Sequence, residues 1–303
     1  MAVGRFAPSP TGRLHLGNLR TALLAWLFAR SAGSAFLLRI EDLDAATSTA
    51  EHEAAQLRDL RAIGVDWDGE PVRQSTRRPR HDEVIAELTA RGLTYPCFCT
   101  RREIHQAPAA PHGPEGAYPG TCRDLTVAER SAREAAGRRP AIRLRTHGET
   151  VVVDDRLHGR VEGVVDDVVL RRGDGTPAYN LAVVVDDADA GVEEVVRGDD
   201  LLPSTPRQVH LARLLGLAVP AHAHVPLVLG PTGARLAKRD GAVTLPDREA
   251  LGESPLDVRS TLARSVGLAE PGERPSLDEL IARFDPDRLP RTPWRLGAAD
   301  LGG

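Results

Sequence analysis

Two separated stretches of the chain carry residues suited to phosphate chemistry, and the first is the range 5–18, RFAPSPTGRLHLGN. Its prolines exclude helix before Gly12, and leucines at helical spacing begin at Leu14, so His15 and Gly17 fall in the first turn of a helix that follows a strand. Free N–H groups and the positive end of the helix dipole favour a phosphate there, and an imidazole can donate a hydrogen bond to a phosphate oxygen. This stretch therefore predicts a phosphate site at a helix start.

The second stretch surrounds Lys238. It is the single lysine of the chain, so arginine supplies the other 38 of the 39 basic residues (39 − 1). A lysine that survives such replacement indicates a need for a compact ammonium group rather than a planar guanidinium. Gly230 and Gly233 precede it, and glycines at this density are typical of a mobile loop.

The two stretches together resemble class I aminoacyl-tRNA synthetases. Residues 15–18 resemble the HIGH signature, with Asn18 where the signature has its second histidine, and residues 5–12 are similar to the glutamyl branch. Residues 235–239 resemble the KMSKS loop, with Arg235 and Ala237 replacing its first lysine and its serine. The resemblance implies two catalytic residues, His15 and Lys238, that stabilise charge as pyrophosphate leaves. It implies an ATP site made of His15, Gly17, Asn18 and Lys238.

The glutamyl resemblance also implies an amino-acid pocket. Arg5 and Arg197 would face the two carboxylates of glutamate, because a guanidinium fork matches a carboxylate. Glu41 would hold the ammonium group, and Tyr179 would line the pocket. Glu41 and Arg197 follow predicted strands, whose ends converge at the crevice of an open α/β sheet. The full predicted glutamate set is Arg5, Phe6, Ala7, Pro8, Ser9, Glu41, Tyr179 and Arg197.

Three cysteines, Cys97, Cys99 and Cys122, indicate a metal site rather than a disulfide framework. Thiolates favour zinc, and four ligands complete a structural tetrahedron. On chemistry alone the fourth ligand would be His105 or His112, because a phenol with a pKa of about 10 deprotonates reluctantly. The Cys-x-Cys…Tyr-x-x-x-Cys pattern, however, resembles glutamyl-queuosine tRNA(Asp) synthetases. That resemblance implies one structural Zn²⁺ held by the cysteines and Tyr118, with His112 as the rival fourth ligand.

Strand and helix patterns alternate over the first 92 residues, which favours an α/β fold with a doubly wound, Rossmann-like parallel sheet. Short strands at Thr150–Asp154 and Gly163–Arg171 indicate an inserted α+β subdomain. The apolar run Tyr179–Asp187 predicts a buried parallel strand, and we interpret its aspartates as acids of a helix start or loop. From Asp285 onward, proline, glycine and arginine predict a loosely ordered end after a short helical section. The predicted divisions are 1–92 and 173–230 for the two catalytic halves, 93–172 for the zinc-bearing insertion and 231–303 for the KMSKS-like loop and C-terminal section.

Charge and composition constrain the partners. A net charge of −4 over 303 residues excludes a uniformly basic surface, so an RNA partner requires a local basic patch. The longest apolar runs are too short to cross a membrane, and the amino terminus lacks a basic-then-apolar signal pattern, so we expect a cytoplasmic protein.

The resemblance also narrows the expected reaction. The 64 residues after Arg239 (303 − 239) are too few for the anticodon-reading domains of glutamyl-tRNA synthetases, which points to the glutamyl-queuosine tRNA(Asp) synthetase family. Membership would imply activation of L-glutamate by ATP with Mg²⁺ and its transfer to queuosine at the wobble position of tRNA(Asp), without charging of the 3′ end. Two alternatives stay open: a truncated glutamyl-tRNA synthetase that charges a 3′ end, and a non-catalytic RNA-binding relative.

Overall fold

The computed structural model describes residues 2–106, 118–236, 240–297 and 299–301. The strands in these ranges are β1 Gly4–Phe6, β2 Phe36–Ile40, β3 Val72–Arg73, β4 Thr94–Cys97, β5 Ala141–Leu144, β6 Thr150–Asp155, β7 Gly159–Val164, β8 Val169–Arg171, β9 Glu194–Gly198, β10 Ala221–Val225, β11 Val228–Leu229 and β12 Trp294–Arg295. The helices are α1 Leu16–Ser31, α2 Ala50–Ala62, α3 Arg78–Ala90, α4 Arg101–Gln106, α5 Val127–Ala135, α6 Tyr179–Asp189, α7 Thr205–Leu214, α8 Leu245–Ala250, α9 Pro255–Arg264 and α10 Leu277–Arg283. Short 3₁₀ helices cover Gln74–Arg77, Asp199–Ser204, Pro286–Arg288 and Ala299–Leu301.

A seven-stranded sheet in the order β3-β2-β1-β9-β10-β6-β7 forms the centre of the fold. All neighbouring strands are parallel except β6 and β7. The chain order reverses between β1 and β9, which is the point where open α/β sheets bind ligands beyond the carboxyl ends of their strands. The predicted doubly wound α/β sheet is therefore confirmed, and the sheet places the ends of β1 and β9 side by side.

Helix α1 is the main support of β1 and β9. Its leucines at helical spacing are buried, among them Leu19, Leu23 and Leu27, and they share one core with Phe6 of β1 and Val196 of β9. A helix that is apolar on most faces is stable only when it is enclosed. Helices α9 and α10 complete that enclosure on the outer side, and they fix α1 so that its first turn stays at the ends of the strands.

The prediction of a strand at Tyr179–Asp187 is wrong, because this segment is the first nine residues of helix α6. Every residue from Leu181 to Asp187 is buried. A helix that is buried on all sides has no polar face, so its sequence lacks the 3.6-residue period and resembles a buried strand. The predicted placement of the aspartates is wrong for the same reason. Asp186 and Asp187 lie in the C-terminal half of helix α6, not at a helix start or in a loop.

The predicted strand at Gly163–Arg171 is also wrong. The chain forms β7 and then β8, which belong to different sheets. Strands β6 and β7 extend the large sheet, whereas β4, β5 and β8 form a separate antiparallel sheet. The break falls at Asp166 and Asp167, and the buried Asp167 accepts hydrogen bonds from Tyr95 and from the backbone N–H and hydroxyl of Thr146. The predicted domain divisions stay predictions.

The expectation of a loosely ordered end from Asp285 is wrong for the residues that the structure describes. Strand β12 pairs in parallel with β11, and Leu289 and Leu296 are buried. Composition suggested disorder because the apolar residues here are few and widely spaced. Within the described ranges, the helices are too short or too polar to cross a membrane.

Candidate active site

A cleft of about 550 Å³ opens at the switch point between β1 and β9. Every residue of the predicted glutamate set lines it: Arg5, Phe6, Ala7, Pro8, Ser9, Glu41, Tyr179 and Arg197. So do His15, Gly17 and Asn18 of the predicted ATP site. Lys238, the fourth member of that site, lies outside the described residues. The fold thus brings together residues that are separated by up to 192 positions (197 − 5) in the sequence.

The first turn of α1 is organised by His15 and Asn18. His15 is the residue just before the helix, not within it as the sequence predicted, and its Nδ1 accepts a hydrogen bond from the backbone N–H of Asn18 at 3.2 Å. The Asn18 amide oxygen in turn accepts from the backbone N–H of His15 at 3.1 Å. This reciprocal cap orients the imidazole at the helix start. Asn18 is suited to the role because its short side chain reaches back to the preceding turn.

Gly17 is needed for the same arrangement. A Cβ added at this position would lie 2.9 Å from Cε1 and 3.0 Å from Nδ1 of His15. Contacts that short do not occur in proteins without movement of one partner. The glycine therefore leaves room for the His15 ring, in addition to the backbone access that the sequence suggested.

The chain on both sides of Lys238 is attached to this cleft. Before it, Arg235 lines the cleft and forms an ion pair with Asp200 at 2.6 Å. The backbone N–H of the buried Leu236 donates to the carbonyl of Val228 at 3.1 Å. After it, the carbonyl of Val243 accepts from the backbone N–H of Leu16 at 2.8 Å, at the first residue of α1. The described residues on either side of 237–239 therefore lie beside the cleft and the His15 helix start.

Buried charges form the floor of the cleft. Asp187 accepts Nε and Nη2 of Arg5 at 3.2 and 3.3 Å, and it also pairs with Arg39. Arg39 Nη2 donates to Glu41 at 3.3 Å. Burial acts to raise the pKa of Asp187, but Arg39 and Arg5 hold it down at about 2. Burial raises the pKa of Glu41, while the same two arginines oppose the shift.

Arg197 differs from Arg5 because its partners are neutral. Its Nε donates to His224 Nε2 at 3.0 Å, its Nη1 to the hydroxyl of Tyr179 at 3.3 Å and its Nη2 to the hydroxyl of Thr205 at 2.9 Å. Among the described residues, no carboxylate lies within ion-pair distance of it. Burial lowers the pKa of Arg197, and Tyr179 opposes that shift. The cleft therefore holds one buried guanidinium whose charge is available to a ligand.

Several residues of this site were missed by the sequence analysis: Arg39, Asp155, Asp187, Thr205 and His224. Arg39 and His224 sit inside strands, where a charged or polar residue gives no motif. Asp187 was assigned to the wrong kind of element. The one available signal was the unusual presence of polar residues in otherwise apolar runs, which for buried positions indicates paired groups.

Away from the cleft, the three cysteine sulfurs lie within 4.8 Å of one another. The Sγ atoms of Cys99 and Cys122 are 3.5 Å apart, and the Tyr118 hydroxyl lies 3.3 Å from Cys97 Sγ and 3.7 Å from Cys99 Sγ. Zn–S bonds of about 2.3 Å in a tetrahedron place sulfurs about 3.8 Å apart, so this donor set fits a zinc ion. Burial raises the pKa of Cys99 to about 12 and also raises that of Tyr118. The side chain of His105 and the whole of His112 lie outside the described residues.

Sequence comparison agrees with this geometry. Residues 1–299 match the family described as "tRNA synthetases class I (E and Q), catalytic domain". The chain belongs to this class I synthetase family. The match covers nearly the whole sequence, and it confirms the resemblance on which the cleft assignments were based.

Individual relatives of this class I synthetase chain carry two kinds of name. A Glutamyl-Q tRNA(Asp) synthetase of Nocardia farcinica is 64% identical over 97% of this chain and 92% of the relative. The protein of the same name from Symbiobacterium thermophilum is 50% identical over 99% of this chain and 98% of the relative. A glutamate–tRNA ligase of Azorhizobium caulinodans is 43% identical, but the match covers only 63% of its length. The matches thus span most of each Glutamyl-Q tRNA(Asp) synthetase and less than two thirds of the glutamate–tRNA ligase.

A solved structure shows the same fold. The glutamate tRNA ligase of Elizabethkingia meningosepticum, determined with its amino acid, superimposes with a TM-score of 0.83 at 28% identity. The match covers 99% of this chain and 68% of that protein. The predicted class I synthetase fold is confirmed at this level of similarity.

Proposed function

We propose that this class I synthetase activates L-glutamate with ATP and transfers it to the queuosine at the wobble position of tRNA(Asp), without charging the 3′ end. The carrying observation is that one cleft joins two buried guanidinium groups to the capped helix start at His15. The names of the relatives at 64% and 50% identity support the choice of acceptor.

The amino-acid end of the cleft suits glutamate. Arg197 offers a charge without a carboxylate partner among the described residues, and Tyr179 bonded to it closes one side of the pocket. Phe6, the last residue of β1, and the next three residues, Ala7, Pro8 and Ser9, line this part of the cleft. Glu41 has one oxygen on Arg39, and its carboxylate would bind the substrate ammonium group. The buried charges here are three arginines and two acids, Asp187 and Glu41, so their sum is positive. A positive sum favours a ligand with net negative charge.

In the first step the glutamate α-carboxylate attacks the α-phosphorus of ATP, which forms glutamyl adenylate and releases pyrophosphate. The backbone N–H of Gly17 and the His15 imidazole would bind phosphate oxygens at this helix start. Lys238 would stabilise the charge that develops on pyrophosphate. Mg²⁺ bound with ATP would neutralise part of the triphosphate charge. The protein therefore contributes positioning and charge stabilisation more than proton transfer.

In the second step a hydroxyl of the queuosine ring attacks the carbonyl carbon of the adenylate. The bond to AMP breaks and an ester of glutamate forms.

The donor set of Cys97, Cys99, Tyr118 and Cys122 would hold one Zn²⁺ that stabilises the small β4-β5-β8 sheet, with Tyr118 as the fourth ligand. Because ATP and tRNA are available in the cytoplasm, we place the reaction there.

Two assays test the proposal. The first is glutamate-dependent exchange of labelled pyrophosphate into ATP without RNA, in which glutamate supports exchange and aspartate does not. The second charges queuosine-containing tRNA(Asp) with labelled glutamate and digests it to nucleosides, and the label is expected on queuosine. Label on the terminal adenosine would identify a truncated glutamyl-tRNA synthetase instead. Absence of exchange at any substrate concentration would identify a non-catalytic relative.

A further inference from the structure

The partners of Arg197 form a relay that begins at Asp155, the last residue of β6. Asp155 Oδ2 accepts the imidazole Nδ1–H of His224 at 2.6 Å. His224 Nε2 accepts Nε of Arg197 at 3.0 Å, and the Thr205 hydroxyl accepts Nη2 at 2.9 Å. The side chains of Asp155 and His224 are fully buried, and Thr205 is fully buried as well.

Asp155 fixes which nitrogen of His224 carries the proton. A carboxylate can only accept, so Nδ1 must donate to it, and Nε2 is then left with a lone pair that faces Arg197. The carboxylate is itself held by the backbone. Its Oδ1 accepts the N–H groups of Leu157 and His158, both at 3.0 Å, and the N–H of His224 is shared between Oδ1 at 3.3 Å and Oδ2 at 3.2 Å.

The direct partners of Arg197 are neutral, so they leave its positive charge without a counter-charge. A carboxylate in place of His224 would hold the guanidinium equally well but would neutralise it. A neutral imidazole and a neutral hydroxyl hold it in place without doing so. An uncompensated guanidinium distinguishes a carboxylate from an amide of the same shape, since only the carboxylate supplies the opposing charge.

We propose that Asp155, His224 and Thr205 are positioning residues that hold Arg197 with its charge free, and that they thereby set the preference for glutamate over glutamine. This inference rests on the proposed function, because it assigns Arg197 to the side-chain carboxylate of the amino-acid substrate.

Asp155→Asn is the sharpest test because it changes one proton and almost no volume. The N–H groups of Leu157 and His158 donate to Oδ1 alone, so they hold an oxygen at that position and the amide NH₂ faces His224 Nδ1. The imidazole then carries its proton on Nε2, where it opposes the Nε–H of Arg197. The matched control is Asp154→Asn, the same change one residue earlier on an exposed side chain.

For Asp155→Asn, pyrophosphate exchange is expected to show a rise of about tenfold in KM for glutamate, with kcat changed less than about threefold. The inhibition constant of glutamine should stay within about twofold, so the ratio between the two amino acids falls by about tenfold. Asp154→Asn should match the wild type. ¹⁵N NMR of the His224 ring should show the Nδ1–H tautomer in the wild type and the Nε2–H tautomer in Asp155→Asn.

Thr205→Val and Thr205→Ser keep the inference testable if Asp155→Asn does not fold. Valine removes the acceptor of Arg197 Nη2 at nearly constant volume and should raise KM for glutamate, whereas serine keeps a hydroxyl and should rescue it. An unchanged KM and selectivity in folded Asp155→Asn, or in folded Thr205→Val, would overturn the inference. Wild-type protein without glutamate-dependent exchange would instead remove the proposed function itself.

Discussion

Asp187, on helix α6, accepts two hydrogen bonds from Arg5, on strand β1, at 3.2 and 3.3 Å. The same carboxylate also pairs with Arg39 of β2. Asp187 therefore pairs with both of these buried arginines, and Glu41 pairs with Arg39 as well. Arg197 is left, among the described residues of the cleft floor, as the guanidinium without a carboxylate partner. The division between compensated and uncompensated arginines is the main electrostatic feature of the cleft.

Asp187→Asn should strongly destabilise the protein, because it leaves Arg5 and Arg39 buried with half of their opposing charge. We expect the free energy of unfolding in urea to fall by about 3–5 kcal/mol. Asp189→Asn is the matched control on the same helix, since its carboxylate is 29% exposed, and it should cost no more than about 1 kcal/mol. Equal losses for the two variants would contradict the role given to Asp187.

Lys238→Ala should slow adenylate formation while glutamate binding changes little. Loss of one charge that stabilises the leaving pyrophosphate is expected to lower the exchange kcat by about 10²–10³-fold. KM for glutamate should stay within about twofold. Lys238→Arg keeps the charge but not the compact shape, so it should recover only part of the rate. Wild-type exchange in Lys238→Ala would remove this residue from the mechanism.

Gly17→Ala should impair the reaction without unfolding the chain. The new methyl group would contact the His15 ring at 2.9 Å and push it away from the helix start. Exchange kcat/KM for ATP is expected to fall about tenfold or more, with the thermal midpoint shifted by only a few degrees. Gly297→Ala, where the nearest atom would be 3.5 Å away, is the control for the alanine itself. Normal kinetics in Gly17→Ala would show that the His15 position is not critical.

Two buried histidines make stability depend on pH. Burial and the charge of Arg197 lower the pKa of His222 to about 3. Burial also lowers the pKa of His224, although the hydrogen bond to Asp155 acts to raise it. Other charged or titratable groups acting on the pair are Arg5 and His158. As pH falls below about 6.5, the unfolded chain binds protons that the folded chain does not, so stability falls.

Urea unfolding between pH 6.5 and 4.5 checks this prediction. Each neutral buried histidine contributes a slope of at most about 1.4 kcal/mol per pH unit. His222→Gln should therefore flatten the wild-type curve by about that amount. His147→Gln, which changes an exposed histidine, should leave the slope as it is. A wild-type stability that is flat over this range would contradict the direction of the shifts.

Tyr118→Phe tests the fourth zinc ligand. The wild type should purify with one Zn²⁺ per chain by metal analysis, and removal of the phenol should lower zinc affinity by more than about tenfold. His112→Ala should retain the metal. The opposite pattern would assign the fourth position to the histidine, and metal-free wild-type protein that was never chelated would count against the site altogether.

How far the sequence predicted the site depended on whether a residue carries a local motif. The range 5–18 carries such a motif, because its prolines, its glycines and its helical spacing of leucines all constrain the same turn. The structure places that turn in the cleft. Asp155 and His224 carry no local motif, because they come into contact only where β6 and β10 are neighbours in the sheet. Contacts between residues 69 positions apart are set by topology, which no short pattern encodes.

The same reasoning applies to the fold. The doubly wound sheet was predicted from the alternation of strand and helix patterns along the chain, because each of these elements carries its own local pattern. Helix α6 was misassigned because complete burial removed its period. The end of the chain was misjudged because the two residues of β12 gain their order from pairing with β11, a distant partner, and not from their own composition.

Asp187 also bears on how the chain folds as it is synthesised. Arg5 and Arg39 leave the ribosome 182 and 148 residues before the acid that compensates them. Until that acid emerges, packing β1 and β2 into their final core would bury two cations with Glu41 as their counter-charge and without Asp187, which is unfavourable. The N-terminal half should therefore stay open during translation, and the cleft should close only once more than half of the chain has been made.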